Sequence, residues 1–297
     1  MRILITGATG LIGSHLIPAL QQAGHTIWLW VRSPAKAHAL WPELHAVSQL
    51  DQLPAPDTFQ AVINLAGEPI AAKHWTASRK QALRSSRIDL TRVLCEWLSK
   101  APRADRVLLS GSAVGVYGDT GDQLTNEKAP TTGTDFASAL CRDWEAAALT
   151  QTTAAGRVVL LRTGLVLSGA GGLLKQMRLP FSLGLGGRLG NGGQFMPWIH
   201  AQDYVRAVLF ILDDHRLKGP INLCAPNPVT NREFARALAQ QLHRPCIFPV
   251  PAWILRAALG ELSDLLLTGQ RCQPAALTEK GFTFEFATLA EALDNLL

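Results

Sequence analysis

Apolar residues fall into short uninterrupted runs, separated by stretches in which they recur at helical spacing. Short runs of this kind are typical of strands buried on both faces of a parallel sheet. They cover residues 3–5, 26–31, 60–65, 106–109, 157–166 and 220–224. Helical spacing is found over residues 14–22, 75–100, 136–149 and 201–212. This alternation predicts an α/β fold, a doubly wound parallel sheet of the Rossmann type.

Towards the C-terminus the alternation gives way to helical segments punctuated by proline. A helix over residues 232–242 is predicted after Thr230 or Asn231, either of which can cap its N-terminus. Residues 246–250 and 282–286 are two short strand candidates.

The pattern therefore predicts two units. A nucleotide-binding Rossmann domain covers residues 1–226, and a small mixed C-terminal lobe on the substrate side covers residues 227–297. Residues 168–194 are too rich in glycine for one continuous regular element. Long loops of this kind are usually lids or binding loops, so we expect a glycine-rich cleft loop here.

Composition limits the classes of partner. Hydrophobic residues make up 47% of the chain and charged residues 17%, which indicates a core-rich globular protein. The net charge of +5 would allow nucleic-acid binding, but the basic residues are spread along the chain without a Lys/Arg tract. We therefore expect no nucleic-acid partner.

The five cysteines are widely spaced and form neither a CxxC pair nor a Cys/His zinc pattern. We expect free thiols, no metal, and a cytoplasmic protein. No apolar run approaches the roughly 20 residues that cross a bilayer, and no signal-like segment precedes the first strand. We therefore expect no membrane partner, and the pattern leaves monomer and homodimer open.

The first motif that carries chemistry is GATGLIG, in which Gly7, Gly10 and Gly13 separate the first strand from the first helix. A nucleotide pyrophosphate reaches a helix N-terminus only where the backbone comes close, so side chains must be absent. The spacing is GxxGxxG rather than GxGxxG, and an ordinary tight turn could also carry it. Its place between strand and helix favours dinucleotide binding.

Residues at the end of the second strand bear on the choice between NAD and NADP. An NAD site places Asp or Glu about 20 residues after the glycines to bind the ribose 2'-hydroxyl. Here the chain has Arg32 and Ser33, with Lys36 close behind. These groups suit a 2'-phosphate, and we expect no carboxylate there to repel it. The sequence predicts NADP as cofactor, the alternative being that Arg32 is only a solvated strand-end residue.

Several longer runs resemble a known family: VINLAGEPI, SRIDLT, LCRDWEAAA, LLRTGLVLS, GLGGRLGNGGQFMPWIH and the tail from Cys246 to Leu297. With the N-terminal GxxGxxG, the chain resembles the extended and atypical short-chain dehydrogenase/reductase superfamily. Within it, the runs look like the NAD-dependent epimerase-like family of NADP-binding proteins. There, a nucleotide-sugar-epimerase fold carries a characteristic small C-terminal domain.

The resemblance implies a cofactor site at the ends of successive strands. Around the pyrophosphate it implies Gly7, Thr9, Gly10, Leu11, Ile12 and Gly13. It also implies Val31 and Arg32 at the 2'-phosphate, Leu65 and Ala66 along the dinucleotide, Arg87 on the cofactor and Leu165 at the nicotinamide end.

The catalytic pattern of that superfamily is incomplete in this chain. Its enzymes use a Ser or Thr, with a Tyr and a Lys four residues apart, to move a proton while the nicotinamide moves a hydride. Phe136 stands near the Tyr position, and no Lys follows it in the predicted helix. Tyr117 and Tyr204 have no Lys four residues on. Ser112 alone has a counterpart in the triad, and it is the predicted catalytic residue.

Two functions remain open. An NADP-dependent oxidoreductase or epimerase would act on a small molecule, such as a nucleotide sugar or another carbonyl compound. Its proton would move through Ser112, Tyr117, Cys141, His200 or an ordered water. A non-catalytic NADPH-binding protein would instead regulate a partner, and the missing Tyr/Lys pair favours it. The glycine-rich segment favours a substrate pocket, with the predicted lining residues Lys175, Met177, Gln194, Trp198 and His200.

Overall fold

The structure, a computed structural model, describes residues 1–150 and 155–297. Its strands are β1 (Arg2–Thr6), β2 (Thr26–Trp30), β3 (His45–Val47), β4 (Ala61–Asn64), β5 (Arg103–Ala113), β6 (Leu124–Thr125), β7 (Ala155–Thr163), β8 (Leu165–Leu167), β9 (Phe195–Met196), β10 (Trp198–His200), β11 (Gly219–Leu223), β12 (Val229–Thr230) and β13 (Arg271–Cys272). Its helices are α1 (Leu11–Gln22), α2 (Pro34–Leu40), α3 (Ala77–Arg84), α4 (Leu90–Ser99), α5 (Phe136–Leu149), α6 (Gly172–Ser182), α7 (Ala201–Asp213), α8 (Asn231–Gln241), α9 (Ala252–Leu259), α10 (Asp264–Leu267), α11 (Ala275–Thr278) and α12 (Leu289–Leu296).

Seven parallel strands form the central sheet, in the order β11-β7-β5-β4-β1-β2-β3. The chain winds outward from β1 in one direction and then, from β4, in the other. This reversal opens a crevice at the carboxyl ends of β1 and β4, where open α/β sheets bind their ligands. The predicted Rossmann-type fold is confirmed.

The sheet has this form because its strands are apolar on both faces. Ile3 and Ile5 of β1 pack in the same core as Leu16 of α1 and Val208 of α7. Leu4 points to the opposite face, into a core that α4 and α5 cover. Since successive side chains of a strand alternate between faces, a run without polar interruption requires helices on both sides.

The predicted helix over residues 75–100 is two helices joined by a π-helical turn. Helix α3 leads directly into the turn Ser85–Asp89, which leads directly into α4. A π turn adds residues relative to regular α-helix and is frequent at functional sites. Here it contains Arg87, which the resemblance places on the cofactor.

Residues 168–194, expected to form a glycine-rich loop without one continuous regular element, contain a helix in their central part. Helix α6 spans Gly172–Ser182 and buries Leu174 and Phe181. Glycines flank this helix at its N-terminus, and the run LLKQMRL within it contains none. The residues of this run have good helix propensity, although Pro180 follows them within the helix.

Both strand candidates of the C-terminal lobe were wrong. In residues 246–250, Val250 alone forms a β-bridge, with Leu189. Prolines within and beside this run remove the N–H donors that a ladder needs. Residues 282–286 contribute Phe282 and Phe286 to two different cores instead.

A second core lies beside the sheet. It combines Leu174, Phe181 and Trp198 with Phe234 and with Leu293 of α12. The predicted boundary after residue 226 falls between β11 and β12, and residues from both sides build this core.

Candidate functional site

The glycine turn between β1 and α1 is held so closely that two of its positions exclude a side chain. Gly7 has φ +71°, and a Cβ there would lie 2.5 Å from the Leu65 carbonyl. A Cβ on Gly13 would lie 2.2 Å from the carbonyl oxygen of Ala8. Gly7 therefore lets the turn approach the end of β4, and Gly13 lets α1 begin against the turn.

The N-terminus of α1 is open to an anion. Gly10 is its N-cap, no side chain caps it, and its first turn contains no acidic residue. Unpaired N–H groups of a first helical turn bind phosphate through hydrogen bonds and the helix dipole. Thr9 and Ile12 are half-buried beside them. Leu11 lies close to Gly172, so the start of α6 adjoins this turn.

Arg32, which directly follows Val31 after β2, is paired with a carboxylate. Its Nη1 donates to Glu68 Oε1 at 2.6 Å, and Arg79 Nη1 donates to Glu68 Oε2 at 3.2 Å. The expectation of no carboxylate near Arg32 was therefore wrong. Glu68 follows β4, 36 residues later in the chain, and the sheet brings the two strand ends to the same edge. Hydrogen bonds from Arg79 and then Arg32 hold the pKa of Glu68 below its usual value.

Arg87 fixes the backbone of the same turn. Its Nη2 donates to the Glu68 carbonyl oxygen at 2.9 Å, and its guanidinium lies over the Trp144 ring at 5.3 Å. A Cβ on Gly67 would lie 3.0 Å from the Arg87 Cζ. Three guanidinium groups and one carboxylate thus share this corner of the sheet. We call Arg32, Arg79, Arg87 and Glu68 the arginine corner.

The remaining predicted cofactor residues lie along the same edge. Val31 is buried. Leu65 and Ala66 continue β4, and the Ala66 N–H donates to Thr6 Oγ1 at 3.2 Å. Leu165 begins β8 and is half-buried, and its N–H donates to the Pro197 carbonyl oxygen at 2.6 Å. The structure therefore brings the glycine turn, the ends of β2 and β4, and Arg87 together.

Ser112 belongs to a buried hydrogen-bond network across three adjacent strands. Its hydroxyl donates to Glu145 Oε1 at 2.6 Å. Arg162 holds Glu145 in a bidentate pair, with Nε to Oε1 at 2.8 Å and Nη2 to Oε2 at 2.9 Å. Arg162 Nη1 also donates to the Tyr117 hydroxyl, which donates to Asn222 Oδ1, both at 2.8 Å.

The register of the sheet explains this network. Ser112 on β5 and Asn222 on β11 are both direct neighbours of Arg162 on β7. Sequence reasoning missed Glu145, Arg162 and Asn222. Two signals were available, since Arg162 interrupts an apolar strand and Glu145 an alanine-rich helix face, and buried charges are found in pairs.

Burial decides the protonation of two candidate proton carriers. It raises the pKa of Tyr117 to about 12. It also raises the pKa of the Cys141 thiol to about 12. Both groups therefore keep their protons near neutral pH and cannot act as bases there.

His200 and Trp198 have structural environments. His200 Nδ1 accepts the Gln202 N–H at 3.1 Å, which caps α7, and its ring stacks on Phe286 at 3.8 Å. Burial lowers the pKa of His200. Trp198 is 1% exposed and belongs to the second core.

The other three predicted substrate residues lie on different elements. Gln194 Nε2 donates to the Leu266 carbonyl at 2.7 Å, which joins the turn before β9 to α10. Lys175 is exposed on α6, whereas Met177 is half-buried against the second core. The proposed cleft lining therefore stays a prediction.

Within residues 1–150 and 155–297, no three His, Cys, Asp or Glu side chains are grouped so that they could hold a metal ion. Over the same residues, no helix combines the length and the apolar character needed to cross a bilayer.

A doubly wound parallel sheet with a glycine turn at its switch point defines a dinucleotide-binding protein of the Rossmann class. Residues 3–224 match the model of the NAD dependent epimerase/dehydratase family, and residues 250–296 match a domain of unknown function, DUF1731. The chain belongs to the NAD-dependent epimerase/dehydratase family. The resemblance found in the sequence is confirmed.

Similar proteins come from bacteria, plants and animals. An epimerase family protein of Mycobacterium bovis is 45% identical over 98% of this chain and 96% of its own length. The chloroplastic SDR39U1 homologue of Arabidopsis thaliana is 36% identical over 100% of this chain and 87% of its own. The crystal structure of human SDR39U1 (isoform 2) with NADPH has a TM-score of 0.90 and 33% identity, and covers 100% of this chain and 99% of the human one. The prediction of NADP agrees with the nucleotide in that crystal structure.

Proposed function

We propose that the protein binds NADP(H) along the carboxyl edge of the sheet and uses it to oxidise, reduce or epimerise a small molecule. The arginine corner is the observation that carries this proposal. Arg32 and Arg79 converge on one carboxylate beside the glycine turn, in the place where a Rossmann protein holds the adenosine ribose. Two guanidinium groups suit a 2'-phosphate. The NADPH in the human relative supports the same choice.

The residues present fit the rest of the nucleotide. The uncapped first turn of α1 offers N–H donors to the pyrophosphate. Gly7 lets the turn lie directly against Leu65, which would bring the turn and the end of β4 to the same stretch of the dinucleotide. Leu165 would contact the nicotinamide end.

Bound NADP(H) would supply or accept the hydride. The Ser112 hydroxyl donates its hydrogen bond to Glu145 Oε1, so the lone pairs of its oxygen stay able to accept a hydrogen bond from a substrate hydroxyl. Arg162 fixes Glu145 with two hydrogen bonds and thereby fixes the Ser112 side chain. In this arrangement the site suits a substrate with a hydroxyl group, of which nucleotide sugars are one class. A carbonyl substrate would need the Ser112 O–H to turn from Glu145 towards the carbonyl oxygen.

A non-catalytic NADPH-binding protein that regulates a partner is the second candidate. It is favoured by the burial of Tyr117 and Cys141, which keeps both groups protonated, and by the use of His200 as a helix cap. Under either function, free thiols at all five cysteines support a reducing compartment such as the cytoplasm.

Fluorescence titration with NADPH and with NADH tests the cofactor assignment, on wild type, Arg32→Ala and Arg92→Ala. Arg92 is the control, an exposed arginine of α4 whose Nη1 lies 3.5 Å from Asp89 Oδ1, one helical turn away. Loss of the charge-assisted contact at Arg32 should weaken NADPH roughly ten- to a hundredfold, and NADH and the control variant should barely change. Equal affinity for both nucleotides, unaffected by Arg32→Ala, would contradict the proposal.

NADPH oxidation with a panel of carbonyl compounds then separates the enzyme from the binding protein. Turnover that falls in Ser112→Ala, with NADPH affinity unchanged, supports the enzyme. Tight NADPH binding without turnover on any compound supports the regulatory function.

A further inference from the structure

Helix α9 is apolar on nearly all sides and yet unburied. Its sequence is AWILRAAL, in which Arg256 is the one charged residue, and none of its residues is buried. Trp253 is 70% exposed and Ile254 40%. Helices that are apolar all round are normally covered by a protein core or by lipid.

The exposed apolar surface continues onto two adjacent segments. The chain after α6 runs beside the chain before α9, because Arg244 Nε donates to the Ser182 carbonyl at 2.7 Å and the Val250 N–H donates to the Arg188 carbonyl at 2.9 Å. Their exposed apolar side chains, together with Leu179 of α6 and Trp253 of α9, form a surface that we call the apolar ridge. Its members are Leu179, Leu183, Leu185, Ile247, Phe248 and Trp253, each between 56% and 70% exposed.

The two chain segments that carry the ridge have a net positive charge, and Glu261, which directly follows them, pairs with Lys80. Residues 170–200 and 242–260, which carry it, contain no Asp or Glu. Their exposed cationic side chains are Lys175, Arg178, Arg188, Arg244 and Arg256. Two copies meeting through this face would place like charges against each other, which opposes self-association. The charge favours an anionic partner.

We propose that the apolar ridge binds the surface of a bilayer that contains anionic lipids. Its apolar side chains would enter the boundary between headgroups and acyl chains, while the surrounding cations contact lipid phosphates. Side chains that project from turns and a short helix suit insertion into lipid better than docking on a protein, where anchor residues fill pockets. The expectation of no membrane partner rested on the length of apolar runs, which bears on spanning helices and not on surface contact.

Sedimentation of the full-length protein with vesicles tests this proposal. Binding to phosphatidylcholine vesicles that contain phosphatidylglycerol should exceed binding to pure phosphatidylcholine by about tenfold or more, and salt should weaken it. The pair Leu183→Ser/Trp253→Ser should lower binding by about tenfold or more. The matched control is Leu40→Ser/Val93→Ser, which removes two apolar side chains, 52% and 46% exposed, from the Rossmann domain.

A second double variant, which removes charge and no apolar side chain, tests the proposal even if Leu183→Ser/Trp253→Ser lowers the stability of the protein. Arg178→Gln/Arg256→Gln leaves the apolar side chains in place and should reduce binding to anionic vesicles alone. Absence of binding to anionic vesicles, or equal loss in the control pair, would overturn the proposal. So would a dimer that light scattering detects in wild type and that Leu183→Ser/Trp253→Ser dissociates, because a second copy would then cover the ridge.

Discussion

Glu68 Oε1 lies 2.6 Å from Arg32 Nη1, so the guanidinium that is proposed to bind the 2'-phosphate is already paired with a carboxylate. Binding of NADPH must displace or share this contact. The Arg32 side chain is 87% exposed, and exposed ion pairs contribute little to stability, so displacement costs little.

We expect Glu68→Gln to tighten NADPH binding about two- to fivefold, because it removes a competing negative charge of modest strength. NADH lacks the 2'-phosphate and should bind as before. Fluorescence titration measures both, with Glu43→Gln as a control at an exposed carboxylate that hydrogen-bonds Gln21 instead. Weaker NADPH binding in Glu68→Gln would mean that the carboxylate organises the arginines rather than competing for them.

Gly13→Ala should destabilise the protein by about 1–3 kcal/mol or more, because its Cβ would fall 2.2 Å from the Ala8 carbonyl oxygen. The start of α1 would have to shift, so NADPH binding should fall too. Gly115→Ala is the matched control, since among the described residues nothing but its own chain neighbours lies within 4 Å of the added Cβ. Urea unfolding gives the stability of both variants. Similar free energies of unfolding for the two variants would show that the turn can shift to make room for the Cβ at position 13 at little cost.

Arg162→Met should cost about 3–5 kcal/mol, because it leaves the buried Glu145 carboxylate without its bidentate partner. Arg84→Met removes an ion pair with Asp143 whose side chains are 38% and 46% exposed, and should cost under about 1 kcal/mol. Urea unfolding measures the free energy of unfolding of Arg162→Met, of Arg84→Met and of the double variant Glu145→Gln/Arg162→Met. A loss at Arg162 no larger than that at Arg84 would show that water reaches the network.

Stability should decline at alkaline pH. Burial raises the pKa of Tyr117 and Tyr204 to about 12 from a usual value near 10, and the pKa of Cys141 and Cys272 to about 12 from near 9. Above pH 9, and for the tyrosines above pH 10, the unfolded chain releases protons that the folded chain keeps. The free energy of unfolding therefore falls as pH rises.

Tyrosine absorbance provides the measurement. Both tyrosines should stay protonated until the protein unfolds, and then ionise together with the unfolding transition. Ionisation of either one near pH 10 in the folded protein would contradict the assigned burial.

The sequence predicted the central sheet because each of its long strands is a distinct apolar run. Helix α2 was not predicted, although the sequence contains signals for it: Ser33 caps the helix and Pro34 occupies its first turn. Strand β3 has three residues and no distinctive pattern, so nothing local indicates it.

The candidate site was predictable only where local chain geometry decides it. The roles of Gly7 and Gly13 were predictable because both belong to one local turn between strand and helix. In contrast, the Arg32–Glu68 contact depends on the order of strands in the sheet, and the Ser112–Glu145–Arg162 contacts depend on register between strands. Neither can be read from spacing along the chain. The sequence places Trp198 and His200 in a cleft because they follow a glycine-rich segment, and this stays a prediction. The burial of Trp198 in the second core and the capping contact of His200 depend on packing that spacing does not show.

The second core bears on whether the two parts of the chain can be separated. Leu174, Phe181 and Trp198 precede residue 226, and they share this core with Phe234 and Leu293, which follow it. A fragment cut after residue 226 would lack one side of the core, because the residues that complete it belong to the lobe. We therefore expect residues 1–226 and 227–297 to fold as one unit and not as two independent domains.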